Sequence, residues 1–270
     1  MSAPTSRALS DVLAPLRDDP ARAGIFCDVD GTLAPIVSRA EDAEVREEAS
    51  LLLGRLAGRY GCVACVSGRS ATEARRLVGV GEIAYAGSHG AEILAPGATT
   101  PRVIPAFKSW EQRVRGFVAR RDPAGLRRLR IRIEHKGPIE GLHWRGAPDE
   151  GAARTHLEGI AHQAEAEGLA IHWGRKVLEV RPPIPIDKGQ AVRELAVAAG
   201  LSAALYGGDD ATDLDAFATL DALLAGGELH AAVKVGVRSD EGPPAITESA
   251  DLTVDGVDGY VAVLAALAAD

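Results

Sequence analysis

The chain has 270 residues, a formal net charge of −8 at pH 7 and a hydrophobic fraction of 46%. This apolar content is typical of a globular protein, and the length allows one large domain or two modest ones. The negative charge argues against nucleic acid or an anionic membrane as a partner, because both favour clustered cations. An anionic small-molecule substrate stays possible if its site concentrates positive charge.

The two ends of the chain carry no strong targeting or membrane signal. Residues 1–7 contain no long apolar core, so we expect no signal peptide. The most apolar tail, residues 260–269, is about half as long as a membrane span. The three cysteines fit a reducing compartment. We therefore expect a cytoplasmic monomer.

The first part of the chain alternates short apolar strands with helices. Each strand is a continuous apolar run, as expected for a parallel strand that is buried on both faces. The predicted elements are strands over 23–27, 62–66 and 83–86 and helices over 42–60 and 70–77. Such an order of strands and helices predicts a parallel α/β sheet.

The pattern changes between two proline-containing stretches near Pro101 and Pro185. The predicted elements here are helices over 107–121 and 149–167 and strands over 129–134, 142–145, 169–173 and 176–180. The strand over 129–134 alternates apolar and polar residues, which is typical of a sheet with one solvated face. We expect an inserted α+β cap over residues 106–182.

The α/β order returns after the second proline stretch. The predicted elements are helices over 187–199 and 214–220, strands over 203–206, 231–235 and 252–254, and a final helix. Residues 1–105 and 183–270 are therefore expected to form one core with a Rossmann-like parallel sheet.

Four polar clusters follow predicted strands or begin a predicted helix of the core. Ligands bind at the carboxyl ends of strands in open α/β sheets. Each cluster alone has a plain structural interpretation, such as an acidic turn or a helix start. The clusters are Asp28 with Asp30, Ser67-Gly68-Arg69, Lys188, and Asp209 with Asp210 and Asp213. Their common order and placement predict a ligand site.

The residue types in these clusters suit phosphoryl transfer. Asp28 and Asp30 stand at i and i+2, so they project to the same side of an extended chain. Gly31 allows a sharp turn, and Thr32 offers a hydroxyl and an amide to an anion. Two close carboxylates need a cation or a proton. Transfer to a carboxylate needs a nucleophile, a cation and donors for the phosphoryl oxygens, and Mg²⁺ prefers hard oxygen ligands.

The stretch Asp28-Val29-Asp30-Gly31-Thr32-Leu33 also matches Asp-x-Asp-x-Thr, the first motif of the haloacid-dehalogenase-like phosphohydrolases. With residues 34–36 it resembles the trehalose-6-phosphate phosphatase branch, and the resemblance extends from about Gly24 to the C-terminus. Two residues depart from the pattern, since Val29 replaces a usual aromatic residue and Gly207 a larger apolar one. The other similar segments are 87–92, 208–213, 215–217, 134–136, 143–145, and 174–176 with Glu179.

This resemblance implies a role for each matching residue. Asp28 would be the nucleophile, and Asp30 would protonate the leaving oxygen and then activate water. Mg²⁺ would be held by Asp28, the Asp30 carbonyl and Asp209, with support from Asp213 and Asp210, while Ser67 and Lys188 would hold the phosphoryl oxygens. The remaining predicted phosphate- and substrate-binding residues are Gly31, Thr32, Gly68, Arg69, His89, Glu134, Lys136, Arg145, Lys176 and Glu179.

The implied function is a Mg²⁺-dependent phosphatase of trehalose biosynthesis. It would release phosphate from the small-molecule sugar phosphate trehalose 6-phosphate through an aspartyl-phosphate intermediate. Three alternatives stay open: a phosphatase for sucrose phosphate or a glycosyl-phosphoglycerate, a phosphomutase, and a sugar-phosphate sensor without turnover. The presence of both Asp28 and Asp30 argues against a sensor, because binding alone needs no general acid.

Overall fold

The computed structural model describes residues 6–37, 42–174, 176–239 and 242–269. The chain divides into two compact units. The first, called the core below, combines the residues up to Pro101 with those from Asp187 onward. The second, called the cap, is Arg102–Ile186.

The helices and strands follow one another in the order that the sequence predicts, with additions. The helices are α1 (Ser6–Asp18), α2 (Glu47–Ala57), α3 (Ala71–Val78), α4 (Pro105–Ala119), α5 (Pro123–Arg128), α6 (Glu150–Ala166), α7 (Lys188–Ala198), α8 (Asp213–Ala225), α9 (Pro244–Glu248) and α10 (Gly256–Ala268). The strands are β1 (Ala23–Cys27), β2 (Cys62–Val66), β3 (Ala84–Gly87), β4 (Glu92–Leu94), β5 (Arg102–Val103), β6 (Arg132–Lys136), β7 (Ile139–His143), β8 (Ala170–Gly174), β9 (Val177–Arg181), β10 (Ala203–Gly208), β11 (Ala231–Arg238) and β12 (Leu252–Asp255). Among the described residues, no helix has the length and apolar character needed to cross a bilayer.

The core is built on a predominantly parallel sheet in the order β12-β11-β10-β1-β2-β3-β4. β1 is buried along its whole length and pairs in parallel with β10 on one side and β2 on the other. β4 departs from this direction because it runs antiparallel to β3. The prediction of a parallel α/β core is confirmed. The carboxyl ends of β10, β1 and β2 therefore lie side by side at one edge.

Apolar helix faces cover this sheet. Leu13 and Leu16 of α1, Leu53 of α2 and Leu264 of α10 are fully buried and belong to one cluster with the sheet residue Ile25. Burying a leucine side chain of this size contributes about 1.5–3 kcal/mol relative to leaving it in water. These helices hold β1 rigidly, which matters because the residue after β1 is Asp28.

The unusual glycine at 207 is explained by a tyrosine. Gly207 lies in β10, and a Cβ atom built there would be 2.1 Å from the ring of Tyr260. That ring is fully buried against the sheet, and its hydroxyl donates to the carbonyl of Phe26 at 3.5 Å. The space that a larger residue would occupy at 207 is therefore filled by α10.

The cap has an antiparallel sheet in the order β6-β7-β9-β8, and it confirms the predicted succession of helices and hairpins. One face carries Leu142, Leu178 and Val180, which cluster with Phe117 of α4 and Leu157 of α6. Side chains alternate along a strand, so Glu134, Gly141 and Glu179 share the opposite face. That face is polar.

Several predicted boundaries in the cap are wrong. The strand expected over 129–134 begins only at Arg132, because the unpredicted helix α5 ends just before it and Arg130 adopts a left-handed conformation with φ +53°. The strand expected over 142–145 runs from Ile139 to His143. The strand expected from Lys176 begins at Val177, since Lys176 itself is left-handed with φ +63°.

In the core, the helix expected over 42–60 is shorter and spans Glu47–Ala57. The sequence prediction also missed α1, β4 and α9. The strand expected over 231–235 continues to Arg238, which brings Ser239 to the same edge as Asp209.

Candidate active site

Asp28 directly follows β1 and is 4% exposed. Its amide donates to the carbonyl of Gly207 at 2.9 Å, which ties it to the neighbouring strand β10. The chain then turns tightly, since the amides of Leu33 and Ala34 both donate to the carbonyl of Val29 at 2.8 Å. The turn keeps Asp30 and the residues after it close to the end of the sheet.

Lys188 joins two of the predicted clusters. Its Nζ atom lies 2.8 Å from Oδ1 of Asp28 and 2.7 Å from Oδ1 of Asp213. Lys188 is the first residue of α7, whose start is stabilised by Asp187 accepting from the amide of Gln190 at 2.9 Å. Burial alone would lower the pKa of Lys188, but the two carboxylates raise it above its usual range. The lysine is therefore a buried, charged ammonium.

Asp213 uses both carboxylate oxygens to organise the loop that carries Asp209. Oδ1 accepts from Lys188 and from the hydroxyl of Tyr206 at 2.7 Å. Oδ2 accepts from the amides of Asp209 and Asp210 at 3.0 and 2.9 Å. Asp213 thus supports the Asp209 loop, and its supporting role at a metal site stays a prediction.

Asp28, Asp209 and Asp213 form a group whose carboxylate oxygens lie within 4.8 Å of one another. Asp209 is almost fully buried, and its Oδ1 atom has no hydrogen-bond partner among the described residues. Burial, and then the charge of Asp213, raise the pKa of Asp209 to about 7 against the opposing effect of Lys188. Burial likewise raises the pKa of Asp28, again opposed by Lys188.

These residues fit a divalent cation. Three carboxylates face one ammonium, which leaves two formal negative charges in a buried place. Buried charges are costly unless they are paired or coordinate a metal. Carboxylate oxygens of this kind are the ligands that a hard divalent cation takes. Asp28 and Asp209 are the residues that would hold it, with Asp213 behind them.

Asp210, also predicted as part of the metal site, is placed differently. It is exposed, and its Oδ1 atom accepts from the amide of Ala211 at 2.5 Å. It does not belong to the three-carboxylate group found among the described residues. A direct role for Asp210 in metal binding stays a prediction.

Hydroxyl donors lie near the same edge. Thr32 is fully buried, and its hydroxyl has no hydrogen-bond partner in the described part of the chain. Ser67 follows β2 and accepts from the amide of Arg69 at 3.1 Å, so its own hydroxyl proton can still donate. A Cβ on Gly68 would lie 2.8 Å from the ring of His89, which places that imidazole over the loop. These are suitable partners for phosphoryl oxygens.

Arg69 orients Asp30. Its guanidinium donates two hydrogen bonds to the Asp30 carboxylate, from Nε and from Nη2, both of 2.7 Å. Hydrogen bonding to Asp30 raises the pKa of Arg69, although partial burial opposes the shift. A two-point contact of this kind fixes the plane of the carboxylate. The second aspartate of the motif is thus held in one orientation.

In the cap, three predicted substrate residues meet on the polar face. Nζ of Lys136 lies 3.3 Å from Glu134 and 3.4 Å from Glu179. Gly141 stands between the two glutamates in the strand register, so the centre of this group has no side chain. Burial alone would raise the pKa of Glu134. Nε2 of His143, which lies 2.6 Å from Oε2 of Glu134, and Lys136 together lower this pKa to about 2. We call Glu134, Lys136 and Glu179 the cap triad.

The other two predicted cap residues lie outside the cap triad. Nζ of Lys176 lies 2.8 Å from Glu150, and this contact lowers the pKa of Glu150. Arg145 is exposed in the turn that follows β7. Lys176 still lies near the end of the triad's sheet, because the amide of Trp144 donates to its carbonyl at 3.2 Å. Their role in binding stays a prediction.

Sequence reasoning did not identify several participating side chains. Ser239 donates to Oδ2 of Asp209 at 3.3 Å, and Tyr206 supports Asp213. Ser239 could have been identified, because a polar residue directly after a core strand is a candidate site residue. It was missed because β11 was predicted to end at residue 235 and continues to Arg238. Tyr206 had none, since an aromatic residue within an apolar strand is usually part of the core.

Comparison with known proteins identifies the family. The sequence profile of the family described as trehalose-phosphatase matches residues 26–257. The chain belongs to the trehalose-phosphatase family.

Curated relatives of this trehalose-phosphatase family member come from bacteria and plants. A trehalose-phosphate phosphatase of Mycolicibacterium paratuberculosis is 34% identical over 202 residues, which are 72% of this chain and 50% of that protein. A probable trehalose-phosphate phosphatase of rice, Oryza sativa, is 31% identical and is matched over 59% of its length by 73% of this chain. An uncharacterized glycosyl hydrolase of Mycobacterium tuberculosis is 33% identical, but this chain spans only 15% of it. The chain thus spans from 15% to 59% of the length of these relatives.

Solved structures with the same fold include other trehalose-phosphatase proteins. One, described as a trehalose-6-phosphate phosphatase related protein, superimposes with a TM-score of 0.64 at 24% identity and covers 91% of this chain and 96% of its own. The Aspergillus fumigatus trehalose-6-phosphate phosphatase gives a TM-score of 0.60 at 22% identity, covering 96% of this chain and 97% of its own. A haloacid dehalogenase-like hydrolase from Bacteroides thetaiotaomicron also shares the fold, with a TM-score of 0.59 at 15% identity, covering 91% of this chain and 99% of its own.

Replacing Gly31 by alanine should displace Asp209 from its place beside Asp28 and Asp213. Gly31 has φ +88°, and a Cβ there would lie 2.1 Å from Oδ2 of Asp209. The backbone strain costs about 1–2 kcal/mol, and the contact must also displace the carboxylate. Calorimetric titration with Mg²⁺ should show that Gly31→Ala binds the cation at least about tenfold more weakly, a difference of roughly 1.4 kcal/mol.

Gly79→Ala is the matched control for this measurement. Gly79 is also left-handed, with φ +75°, but a Cβ there has open space around it. It should therefore lose a similar amount of stability while binding Mg²⁺ as the wild type does. Equal Mg²⁺ affinity of the two variants would show that Asp209 is not a metal ligand.

Proposed function

We propose that the protein is a Mg²⁺-dependent phosphatase that hydrolyses trehalose 6-phosphate to trehalose and inorganic phosphate. The observation that carries the proposal is the buried Asp28 carboxylate, which lies against Lys188 and beside Asp209. The hydroxyl of Thr32, which has no hydrogen-bond partner among the described residues, and the hydroxyl of Ser67 lie on neighbouring loops. This arrangement supports assigning a nucleophile, a cation site and phosphate donors to one place.

In the proposed reaction, a carboxylate oxygen of Asp28 attacks phosphorus and the bond to the sugar oxygen breaks. Asp30 gives a proton to that leaving oxygen, and then takes a proton from the water that hydrolyses the aspartyl-phosphate. Both oxygens of the Asp30 carboxylate accept from Arg69, so Asp30 takes up the proton that it donates by releasing one of these hydrogen bonds, while the other keeps it oriented. Lys188, Ser67 and Thr32 bind the phosphoryl oxygens. Asp28 and Asp209 would hold Mg²⁺, which supplies charge neutralisation between the carboxylate and the phosphate.

The sugar preference is supported by family membership and by the chemistry of the cap triad. The family profile and the names of several relatives refer to trehalose phosphate. Carboxylates and ammonium groups suit sugar hydroxyls, because each makes charge-assisted hydrogen bonds. We propose that Glu134, Lys136 and Glu179 bind those hydroxyls. The cytoplasmic location and the monomeric state expected from the sequence stay predictions.

A phosphate-release panel tests the substrate and the nucleophile. Trehalose 6-phosphate, sucrose 6-phosphate and glucosyl-phosphoglycerate are compared with Mg²⁺ present, and trehalose 6-phosphate should have the highest kcat/KM. Asp28→Asn should lower the rate at least about 1,000-fold, or roughly 4 kcal/mol of barrier, because the amide is not a nucleophile.

The matched control is Asp221→Asn, which changes an exposed aspartate on α8 that pairs with Lys234. It should release phosphate at the wild-type rate. A rate for Asp28→Asn within about tenfold of wild type would contradict the assignment. A higher kcat/KM for one of the other two esters would show that trehalose 6-phosphate is not the preferred substrate.

The cap triad should affect the sugar ester and not the phosphate chemistry. Lys136→Met should lower kcat/KM for trehalose 6-phosphate by about 10- to 150-fold, the effect of losing one hydrogen bond to a charged group. Activity on p-nitrophenyl phosphate, which has no sugar, should stay unchanged. Steady-state kinetics on both substrates measures the difference.

Lys108→Met makes the same substitution at an exposed residue of α4 outside the cap triad. It should leave both substrates unaffected. If Lys136→Met slows both substrates equally, the triad supports the fold and does not select the sugar. Lys176→Met, assayed in parallel, tests whether the neighbouring lysine shares the role.

A further inference from the structure

The turn formed by residues 88–90 is strained. Ser88, His89 and Gly90 have φ values of +55°, +58° and +97°. Left-handed conformations are unfavourable for residues other than glycine, and two such residues in a row persist only when the surroundings hold them there. The contacts around this 88–90 turn show what holds it.

One side of the 88–90 turn is hydrogen-bonded to the loop after β2. The amide of Ser88 donates to the carbonyl of Arg69 at 2.7 Å, and the amide of His89 donates to the carbonyl of Ser67 at 3.0 Å. The backbone positions of Ser67 and Arg69 therefore depend on the conformation of the turn. Ser67 carries one of the hydroxyls of the candidate active site.

The other side of the 88–90 turn lies against the start of α7. A Cβ on Gly90 would be 2.6 Å from the carbonyl oxygen of Asp187 and 3.1 Å from Cβ of Ala191. Lys188 is the residue after Asp187. The turn thus lies between the residue that precedes the active-site lysine and the loop that carries Ser67.

Glu92 is the buried charged group that supports the turn. It is 4% exposed and begins β4. Its Oε1 atom accepts from the hydroxyl of Ser88 at 3.3 Å and from the amide of Ala71, the first residue of α3, at 2.8 Å. One carboxylate oxygen therefore links the turn to the helix that follows the Ser67–Arg69 loop.

We propose that Glu92 is a positioning residue that sets the distance between Ser67 and Lys188 by holding the 88–90 turn between them. The proposal rests on the phosphatase function proposed above. Without this carboxylate the strained turn can relax, and Ser67 and Arg69 move with it. A displacement of about 1 Å in a positioning group can cost roughly 100-fold in rate.

Glu73 provides the matched comparison. It lies at the same end of α3, where it accepts from the amide and hydroxyl of Ser70 at 3.3 and 2.9 Å and completes a capping box. It is a glutamate like Glu92, but within the described part of the chain its hydrogen bonds go to Ser70 and not to the 88–90 turn. If Glu92 only stabilised α3, the two carboxylates would be equivalent.

The kinetic test compares Glu92→Leu, Glu92→Gln and Glu73→Leu on trehalose 6-phosphate and p-nitrophenyl phosphate. Glu92→Leu should lower kcat about 30- to 100-fold on both substrates and change KM by less than about threefold. Glu92→Gln keeps an acceptor oxygen and should recover most of the rate. Glu73→Leu should stay within about threefold of wild type at a similar loss of melting temperature.

The proposal is overturned if Glu92→Leu keeps nearly full kcat, or if Glu73→Leu loses as much. A wild-type protein that hydrolyses neither ester would instead count against the phosphatase function. In that case the role of Glu92 is tested by hydrogen exchange at the amides of Ser88 and His89.

Both amides should be protected in wild type and in Glu73→Leu, and they should exchange at least about tenfold faster in Glu92→Leu. If Glu92→Leu does not fold, Ser88→Ala is measured in its place, because it removes the hydroxyl that donates to Glu92. Faster exchange at the amides of residues 88 and 89 supports the proposal, and unchanged exchange overturns it.

Discussion

The ammonium group of Lys188, placed between Asp28 and Asp213, is the interaction on which the site depends. Its distances to the two carboxylates are 2.8 and 2.7 Å, and all three side chains are buried. Removing one partner of such a buried arrangement typically costs about 3–5 kcal/mol, because the remaining charge is left uncompensated. The lysine therefore joins β1, α7 and α8 at the point where the chemistry is proposed to occur.

The rest of the core places the other candidate site residues around Lys188, Asp28 and Asp213. Because β1 lies between β10 and β2, the loops that carry Asp28, Asp209 and Ser67 emerge next to one another. Asp213 accepts from Lys188 on one oxygen and from two loop amides on the other, so the lysine and the loop that carries Asp209 share one support. The remaining negative charge is what a divalent cation would offset.

The parts of this arrangement that follow from local pattern could be predicted from the sequence. Apolar runs that end in polar residues located Asp28, Ser67 and Asp209, because parallel strands present their carboxyl ends at one edge. The sequence also predicted the helix–hairpin order of the cap. The strand that contains Glu134 was predicted to begin too early, since the left-handed turn at Arg130 has no glycine to mark it.

Contacts between distant residues could not be predicted in this way. The pairing of Arg69 with Asp30 depends on how the loop after β2 is placed relative to the loop after β1. The contacts of Glu92 depend on an antiparallel strand of three residues, which is too short to give a recognisable period. The fit of Tyr260 over Gly207 joins the last helix, α10, to the inner strand β10. These features arise from packing, which no single stretch of sequence encodes.

The proposed reaction requires Asp28 to become phosphorylated during turnover, and this can be tested by trapping the aspartyl-phosphate. The protein is mixed with trehalose 6-phosphate and Mg²⁺, quenched within the first turnovers and reduced with borohydride, which converts an aspartyl-phosphate to homoserine. Peptide mass spectrometry should then find homoserine at position 28 and unmodified aspartate at 30 and 209. Homoserine at position 30 or 209, or at no aspartate position while phosphate is being released, would show that Asp28 is not the nucleophile.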